Sequence, residues 1–187
     1  MTHHQSGAHA CCSAASGPMD RRRFMSLTAV AAAGGFTLAS MPQPAVAAGK
    51  AKALLLSCMD YRLIDDLVRF MDKQGLQDQY DHVILAGASL GVVSNAFTDW
   101  HETFWQHLDV AIDLHHIETV IVVDHRDCGA YRIAQDVDTA GEPAVEFDQH
   151  RATMVEFANQ LEERHPTLGL ETYLMALDGS VEPVELG

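Results

Sequence analysis

Two short stretches of the chain carry residues that bind metals and move protons. The first covers residues 58–62 with the sequence CMDYR, and the second covers residues 125–129 with the sequence HRDCG. Two thiolates and one imidazole form a soft-to-borderline donor set that suits zinc. Three protein donors leave one position of a tetrahedral ion open, which is typical of a catalytic site. We therefore expect Cys58, His125 and Cys128 to hold Zn²⁺.

Each of these stretches follows an apolar run that is typical of a buried strand. The runs are continuous rather than alternating, as expected for strands that are covered on both faces of a parallel sheet. They cover residues 53–57, 82–86, 119–123 and 171–176. Apolar residues recur at helical spacing between them, over residues 64–71, 104–115 and 154–161. We expect glycines to end helices at Gly75 and Gly169.

This alternation of strands and helices predicts the fold class. Residues 48–187 should form a single α/β domain with a mostly parallel sheet of about four strands flanked by helices. A terminal strand or hairpin is expected near residues 177–184. Functional groups in open α/β sheets gather at the carboxyl ends of strands. If the first and third strands are neighbours, the two chemical stretches meet there.

The spacing within the two stretches resembles the signatures of a known family. The pattern Cys58-x-Asp60-x-Arg62, followed by His125-x-x-Cys128, is similar to the two motifs of the β-class carbonic anhydrases. The resemblance implies a β-carbonic-anhydrase-like fold in which the cysteines and the histidine bind zinc. It also implies a catalytic dyad beside the metal, in which Arg62 orients Asp60. Asp60 would accept a hydrogen bond from zinc-bound water or displace that water in a resting state.

The resemblance also implies an activity. The chain is expected to be a zinc lyase of the carbonate dehydratase (carbonic anhydrase) type, which hydrates carbon dioxide to bicarbonate by zinc-bound hydroxide. Relatives with the same ligands hydrolyse carbonyl sulfide or carbon disulfide, so these small molecules are alternative substrates. A homodimer is the assembly to consider. The sequence departs from the family at Ile84 and Leu85, where an Arg-Asn pair is common, and at Asp124, where glycine is common.

Residues 1–47 read as a pre-sequence. Arg21 and Arg22 precede an apolar run over residues 27–41, and a small-residue A-x-A site follows at residues 45–47. A charged region, a short apolar core and such a site describe a secretory signal, and the arginine pair resembles a twin-arginine signal. We therefore expect export to the periplasm, or another exported location, by the twin-arginine machinery.

The charge of the chain excludes one class of partner. The formal net charge is −14. Removing residues 1–47 takes away three arginines and one aspartate, which leaves 9 basic and 25 acidic residues and a net charge of −16. Such a surface repels nucleic acid and anionic lipid.

Three other interpretations of the sequence remain open at this stage. Cys58 and Cys128 are the only cysteines after residue 47, so a disulfide in an exported binding module would also explain them. A zinc-binding protein without catalytic activity is the second. The third is a serine hydrolase, because residues 87–91 fit the G-x-S-x-G pattern around Ser89. Its acid and base would be drawn from the residues that follow, Asp113 or Asp124 with His150 or His165.

A plainer explanation of residues 87–91 is a tight turn that lines the metal pocket. In that case the backbone N–H groups of Gly87 and Ala88, and those of the turn at Gly129, would face developing negative charge.

Overall fold

The computed structural model describes residues 50–135, 139 and 141–187. The predicted export signal within residues 1–47 lies outside the described residues. Within the part that is described, no helix combines the length and the apolar character needed to cross a bilayer.

A five-stranded sheet forms the centre of the described domain. Its strands in chain order are β1 (Ala53–Ser57), β2 (Tyr80–Ile84), β3 (Thr119–His125), β4 (Gly169–Met175) and β5 (Val181–Pro183). The spatial order is β2-β1-β3-β4-β5, with the first four strands parallel and β5 antiparallel to β4. The predicted α/β class and the mostly parallel sheet are confirmed, and β5 is the terminal strand expected after residue 177.

Five α-helices and one 3₁₀ helix connect the strands within the described residues. They are α1 (Ile64–Lys73), α2 (Ser89–Val93), α3 (Thr98–His115), α4 (Gly129–Gln135) and α5 (Pro143–Arg164), with the 3₁₀ helix at Asn95–Phe97. The three predicted apolar stripes lie in α1, α3 and α5. Gly75 follows the end of α1 with a φ of 71°, as expected of a helix terminator. Gly169 was expected to end a helix, but it is the first residue of β4, because α5 ends five residues earlier.

The central strands β1 and β3 are mainly apolar because helices cover both faces of the sheet. Leu54 and Leu56 pack on one face with α3 and α5, where Phe104 and Phe157 lie in the same cluster. Leu55 packs on the other face with α1. All three leucines of β1 are 0% exposed. Burying each such side chain stabilises the fold by about 1.5–3 kcal/mol.

The strand register brings the two chemical stretches together. Ser57, the last residue of β1, is the partner of Val123 in β3, and β3 continues two residues further to His125. Cys58 therefore leaves the sheet beside Asp124 and His125 at its carboxyl edge. The expectation that the first and third strands are neighbours is confirmed.

Candidate metal centre

Three predicted donors converge at the carboxyl edge of β1 and β3. One donor atom each from Cys58, His125 and Cys128 lies within 4.8 Å of the other two. His125 is the last residue of β3, and Cys128 precedes α4, so a three-residue turn brings both towards the end of β1. Cys128 and His125 are buried, whereas Cys58 is partly exposed. The donors therefore form a pocket that is closed on one side and accessible on the other.

The separation of the two sulfurs fits a shared ion rather than a disulfide. Both cysteines are free, and their Sγ atoms are 3.9 Å apart. A disulfide requires about 2.05 Å between its sulfurs. Two thiolates that bind one tetrahedral zinc at about 2.3 Å lie about 3.8 Å apart. In this structure the described cysteines have the spacing of metal ligands.

The imidazole of His125 is oriented as a metal ligand. Its Nδ1 atom lies 2.8 Å from the carbonyl oxygen of Arg126, which fixes Nδ1 as the N–H donor. Its Nε2 atom is buried and has no hydrogen-bond partner among the described residues. A buried ring nitrogen without a partner is costly unless an ion or a proton donor takes its lone pair. The orphaned nitrogen and the two sulfurs thus fit a bound zinc ion.

Hydrogen bonds favour the thiolate form of Cys58, which is the form that binds a cation. The hydrogen bond with Cys128 lowers the pKa of Cys58 despite the opposing effect of burial, and the hydrogen bond with Cys58, together with burial, raises the pKa of Cys128. The backbone N–H of Gly87 donates to the Cys58 sulfur at 3.3 Å. One thiolate therefore forms readily, and a cation would favour loss of the second proton.

The expectation that Gly87 and Ala88 offer free backbone donors is wrong. The N–H of Gly87 is bonded to the Cys58 sulfur, and the N–H of Ala88 donates to the carbonyl oxygen of Leu85 at 3.0 Å. Gly87 has a φ of 80°, and a Cβ there would lie 3.1 Å from the Cβ of Ala130. The turn is therefore built to approach the Cys58 sulfur closely.

Asp60 and Arg62 form a close ion pair beside the metal ligands. Arg62 donates from Nε to Oδ1 of Asp60 at 3.0 Å and from Nη2 to Oδ2 at 2.7 Å. Its backbone N–H also donates to Oδ1 at 2.9 Å. These bonds lower the pKa of Asp60 to about 2, so the carboxylate stays ionised. Oδ2 of Asp60 lies 3.8 Å from the orphaned Nε2 of His125.

Two apolar clefts flank these residues. One has a volume of about 370 Å³, and its lining includes Asp60, His125, Ile84 and Met175. The other, of about 340 Å³, includes Trp100 in its lining. The ring of Trp100 stacks on that of Phe97 at a centroid distance of 4.3 Å. Small uncharged molecules can therefore reach the donors along largely apolar walls.

The residues named for the serine-hydrolase alternative form a buried network whose geometry differs from that of a catalytic triad. Ser89, Asp124 and His150 do come together, joined by Tyr131. The Asp124 Oδ2 atom accepts from Ser89 Oγ at 2.7 Å and from the Tyr131 hydroxyl at 2.6 Å, and it lies 2.9 Å from Nδ1 of His150. The aspartate, not the histidine, thus occupies the centre, and Ser89 is 0% exposed. A nucleophilic serine needs an adjacent base and an accessible oxygen. In this cluster His150 bonds Asp124 rather than Ser89, and the serine oxygen is buried.

Some important residues had no clear signal in the sequence. His150, which was named only as a candidate base of the serine-hydrolase alternative, is 1% exposed and bonded to Asp124. Glu146 is 7% exposed and accepts the backbone N–H of Asp127 at 2.5 Å. The departure from glycine at position 124 was the available clue to the buried network. Nothing in the spacing of Glu146 indicated its contact.

The fold and the site define a class: a single α/β domain with a Cys₂His cluster at the carboxyl edge of its parallel strands. The family model described as "Putative carbonic anhydrase" matches residues 48–184. The chain belongs to this carbonic anhydrase family, and the family predicted from the two signatures is confirmed.

Curated relatives and solved structures are also similar to the chain. The uncharacterized protein RC0076 of Rickettsia conorii is 36% identical over 135 residues, which is 72% of this chain and 73% of the relative. An uncharacterized protein of Rickettsia bellii is 36% identical over 135 residues, which is 72% of this chain and 82% of the relative. The β-carbonic anhydrase isoform I of Trichomonas vaginalis is 16% identical, with a TM-score of 0.49 over 72% of this chain and 84% of that one.

Proposed function

We propose that this protein is an exported zinc enzyme that hydrates carbon dioxide to bicarbonate. The observation that carries the proposal is the orphaned Nε2 of His125, which lies within 4.8 Å of two free cysteine sulfurs in a member of the carbonic anhydrase family. Three donors of this kind suit zinc and leave one coordination position for water. When bound, zinc would lower the pKa of a coordinated water to about 7 and so supply hydroxide at neutral pH.

The chain's own residues would orient this water. Asp60 stays ionised because Arg62 holds both of its carboxylate oxygens. An ionised carboxylate close to the metal position can only accept hydrogen bonds, so it selects the orientation of a water that donates to it. The guanidinium fork fixes that carboxylate more firmly than a flexible lysine would. Asp60 thus acts as the hydrogen-bond acceptor, and Arg62 positions it.

The clefts support a small, uncharged substrate. Met175 and Ile84 face the first cleft, and Trp100 faces the second. Such walls solvate a neutral linear molecule better than an anion, because burying a charge without a partner is costly. Carbon dioxide fits this description, and bicarbonate would leave readily for water. Carbonyl sulfide and carbon disulfide share the same chemistry and are the alternative substrates.

Export and assembly complete the proposal. Arg21-Arg22, the apolar run and the A-x-A site support a twin-arginine route to the periplasm. Replacing both arginines with lysine should keep the protein in the cytoplasm, as measured by cell fractionation.

Large apolar side chains on the rim of the first cleft, including Met59 at 65% and Ile64 at 55% exposed, support a homodimer. Sedimentation of the purified chain would test it.

The activity is tested directly by stopped-flow measurement of carbon dioxide hydration. We expect hydration that is lost on treatment with a chelator and restored by Zn²⁺. Hydrolysis of carbonyl sulfide or carbon disulfide without hydration would change the substrate and leave the site in place. A zinc-loaded protein that is inactive on all three molecules would be a non-catalytic zinc-binding protein, and the proposed function would then be wrong.

A further inference from the structure

Asp127 lies between two of the candidate ligands in an unusual backbone conformation. Its φ is 56°, in the left-handed region that non-glycine residues seldom adopt. The neighbouring residue on its carboxyl side is Cys128, and His125 is two residues before it. A left-handed residue here lets the chain turn sharply enough for both donors to face the same point. Such a conformation persists only where surrounding contacts hold it.

Every polar group of Asp127 takes part in a contact. Its N–H donates to Glu146 Oε1 at 2.5 Å, and its carbonyl oxygen accepts from Arg62 Nη2 at 3.1 Å. Its carboxylate accepts from Arg62 Nη1 at 2.8 Å and from Arg132 Nη1 at 2.8 Å. Three separate elements therefore converge on this one residue.

Arg62 joins the two ligand loops through Asp127. One edge of its guanidinium holds Asp60 in the loop that carries Cys58, and its Nη1 and Nη2 atoms also reach Asp127 in the loop that carries Cys128. The position of Arg62, and through it that of Asp60, is thus set from the second loop as well as from its own.

Glu146 also stabilises this arrangement. It lies in α5, and its second oxygen, Oε2, accepts from Arg126 Nη1 at 3.1 Å. Arg126 also donates from Nη2 to Glu182 at 2.6 Å. Glu146 and Glu182 therefore share one arginine, but Glu146 alone also holds the Asp127 backbone.

We propose that Asp127, held by Glu146, is a positioning residue that ties the Cys58 loop to the His125–Cys128 loop through Arg62, so that three ligands and Asp60 keep their mutual geometry. The inference rests on the proposed function in taking Cys58, His125 and Cys128 as metal ligands. It assigns Asp127 no contact with substrate. Its effect is on metal affinity and on the orientation of Asp60.

Two substitutions of Asp127 separate its side chain from its backbone. Asp127→Asn keeps a residue that tolerates left-handed backbone but loses the charge and one acceptor oxygen. Asp127→Gly removes the side chain and adopts positive φ without strain. We expect both to weaken Zn²⁺ affinity, measured by competition with a chromophoric chelator, by about 10- to 100-fold. The thermal unfolding midpoint of the metal-free chain should stay close to that of wild type, because partly exposed ion pairs contribute little to stability.

A spectroscopic measurement reports the geometry without any activity. Cobalt(II) substituted for zinc gives ligand-field bands that depend on the coordination geometry. We expect these bands to shift in both variants. In the active enzyme the variants should also lower kcat with little change in KM, because Asp60 is misplaced while the clefts are intact. Asp66→Asn, which removes the ion pair of Asp66 with Arg69 on α1, is the control that should change none of these quantities.

Glu146 provides a matched pair of variants. Glu146→Gln and Glu182→Gln each remove a charged acceptor of Arg126, but only the first weakens the acceptor of the Asp127 N–H. We expect Glu146→Gln to lower zinc affinity and shift the cobalt bands, and Glu182→Gln to leave both near wild type. Equal effects from the two variants would overturn the role of the backbone contact.

The outcomes distinguish this inference from the proposed function. If wild type binds zinc but hydrates no carbon dioxide, the proposed function is wrong, and the affinities and cobalt bands still test the tie between the loops. If wild type is active while Asp127→Asn and Asp127→Gly keep wild-type zinc affinity, cobalt bands and kcat, the inference is overturned and the proposed function stands.

Discussion

The metal centre and the buried network around Asp124 contain similar residues, but they differ in whether these residues are free to react. Both lie at the carboxyl end of β3 and both contain a histidine and a carboxylate. In the metal centre, Nε2 of His125 has no partner among the described residues, and His125 lines two apolar clefts. In the buried network, Ser89, Tyr131 and His150 all meet one carboxylate oxygen, and each is at most 3% exposed.

The difference shows what a reactive site requires beyond suitable residue types. A group can bind a metal or attack a substrate only if its lone pair is free and a reactant can reach it. Asp124 has neither property, because its carboxylate satisfies three side chains and the N–H of Ser89. The buried network therefore stabilises the strand end that carries His125, while the metal centre is the place where we propose the chemistry occurs. Four predictions test this contrast.

The largest effect is expected from His125→Gln. Removing one of three ligands should abolish zinc binding and lower carbon dioxide hydration by about 1,000-fold, since a bound metal contributes several kcal/mol to catalysis. The control is His107→Gln, because His107 is exposed and bonds its own helix at the Thr103 carbonyl. Metal analysis and stopped-flow assays measure both. Full activity in the His125 variant would contradict the assignment.

Replacement of Asp60 by Asn should have the next largest effect. It removes the ionised acceptor while keeping the shape, so kcat should fall by about 100-fold. Zinc content should remain near one per chain, because Asp60 is not among the three clustered donors. Asp65→Asn on the exposed side of α1 is the matched control. Loss of zinc in the Asp60 variant would show that this residue is a ligand rather than an orienting group.

Ser89→Ala tests the role of the buried network around Asp124. The serine-hydrolase alternative predicts loss of activity, whereas a structural network predicts loss of stability. We expect the free energy of unfolding to fall by about 1–3 kcal/mol, because a buried hydrogen bond to Asp124 is lost. The hydration rate per bound zinc should be unchanged. Ser180→Ala at an exposed turn should cost less. An esterase activity that disappears in Ser89→Ala alone would reverse the assignment.

The smallest effect concerns alkaline pH. Burial, together with the charge of Asp124, raises the pKa of Tyr131 well above its ordinary value of 10.0. The unfolded chain releases this proton near pH 10 while the folded chain retains it, so stability is lost as the pH rises through that value. Tyr131→Phe should flatten the decline of the unfolding free energy with pH. Tyr61→Phe should not, because Tyr61 is 83% exposed. Identical pH profiles for all three proteins would contradict a buried, protonated Tyr131.

The parts of the fold with strong periodicity could be predicted from the sequence. Strand β1 has the predicted bounds, because its unbroken apolar run has no alternative assignment. Strand β2 begins two residues before the predicted run, since Tyr80 and Asp81 pair with Ala53 and Leu54 of β1. Helices α2 and α4 were not predicted. With five and seven residues, they are too short to show a helical repeat.

The candidate site also has features that could be predicted from the sequence and features that could not. The three donors and the Asp60–Arg62 pair were predictable because they lie within two compact motifs at strand ends. The contacts of Glu146 and His150 were not, because each depends on how α5 packs against the end of β3 or the turn after it, 19 and 26 residues earlier in the chain, respectively. A buried polar residue in a helix looks like a surface residue until its partner is known.

The central claim is most directly tested by metal analysis combined with titration of the two thiols. The purified protein should contain about one zinc per chain, as a three-donor site requires. Cys58 and Cys128 should resist alkylation until a chelator removes the ion, and both should then react. A metal-free protein in which the two cysteines form a disulfide, or one in which both thiols react without a chelator, would contradict the account.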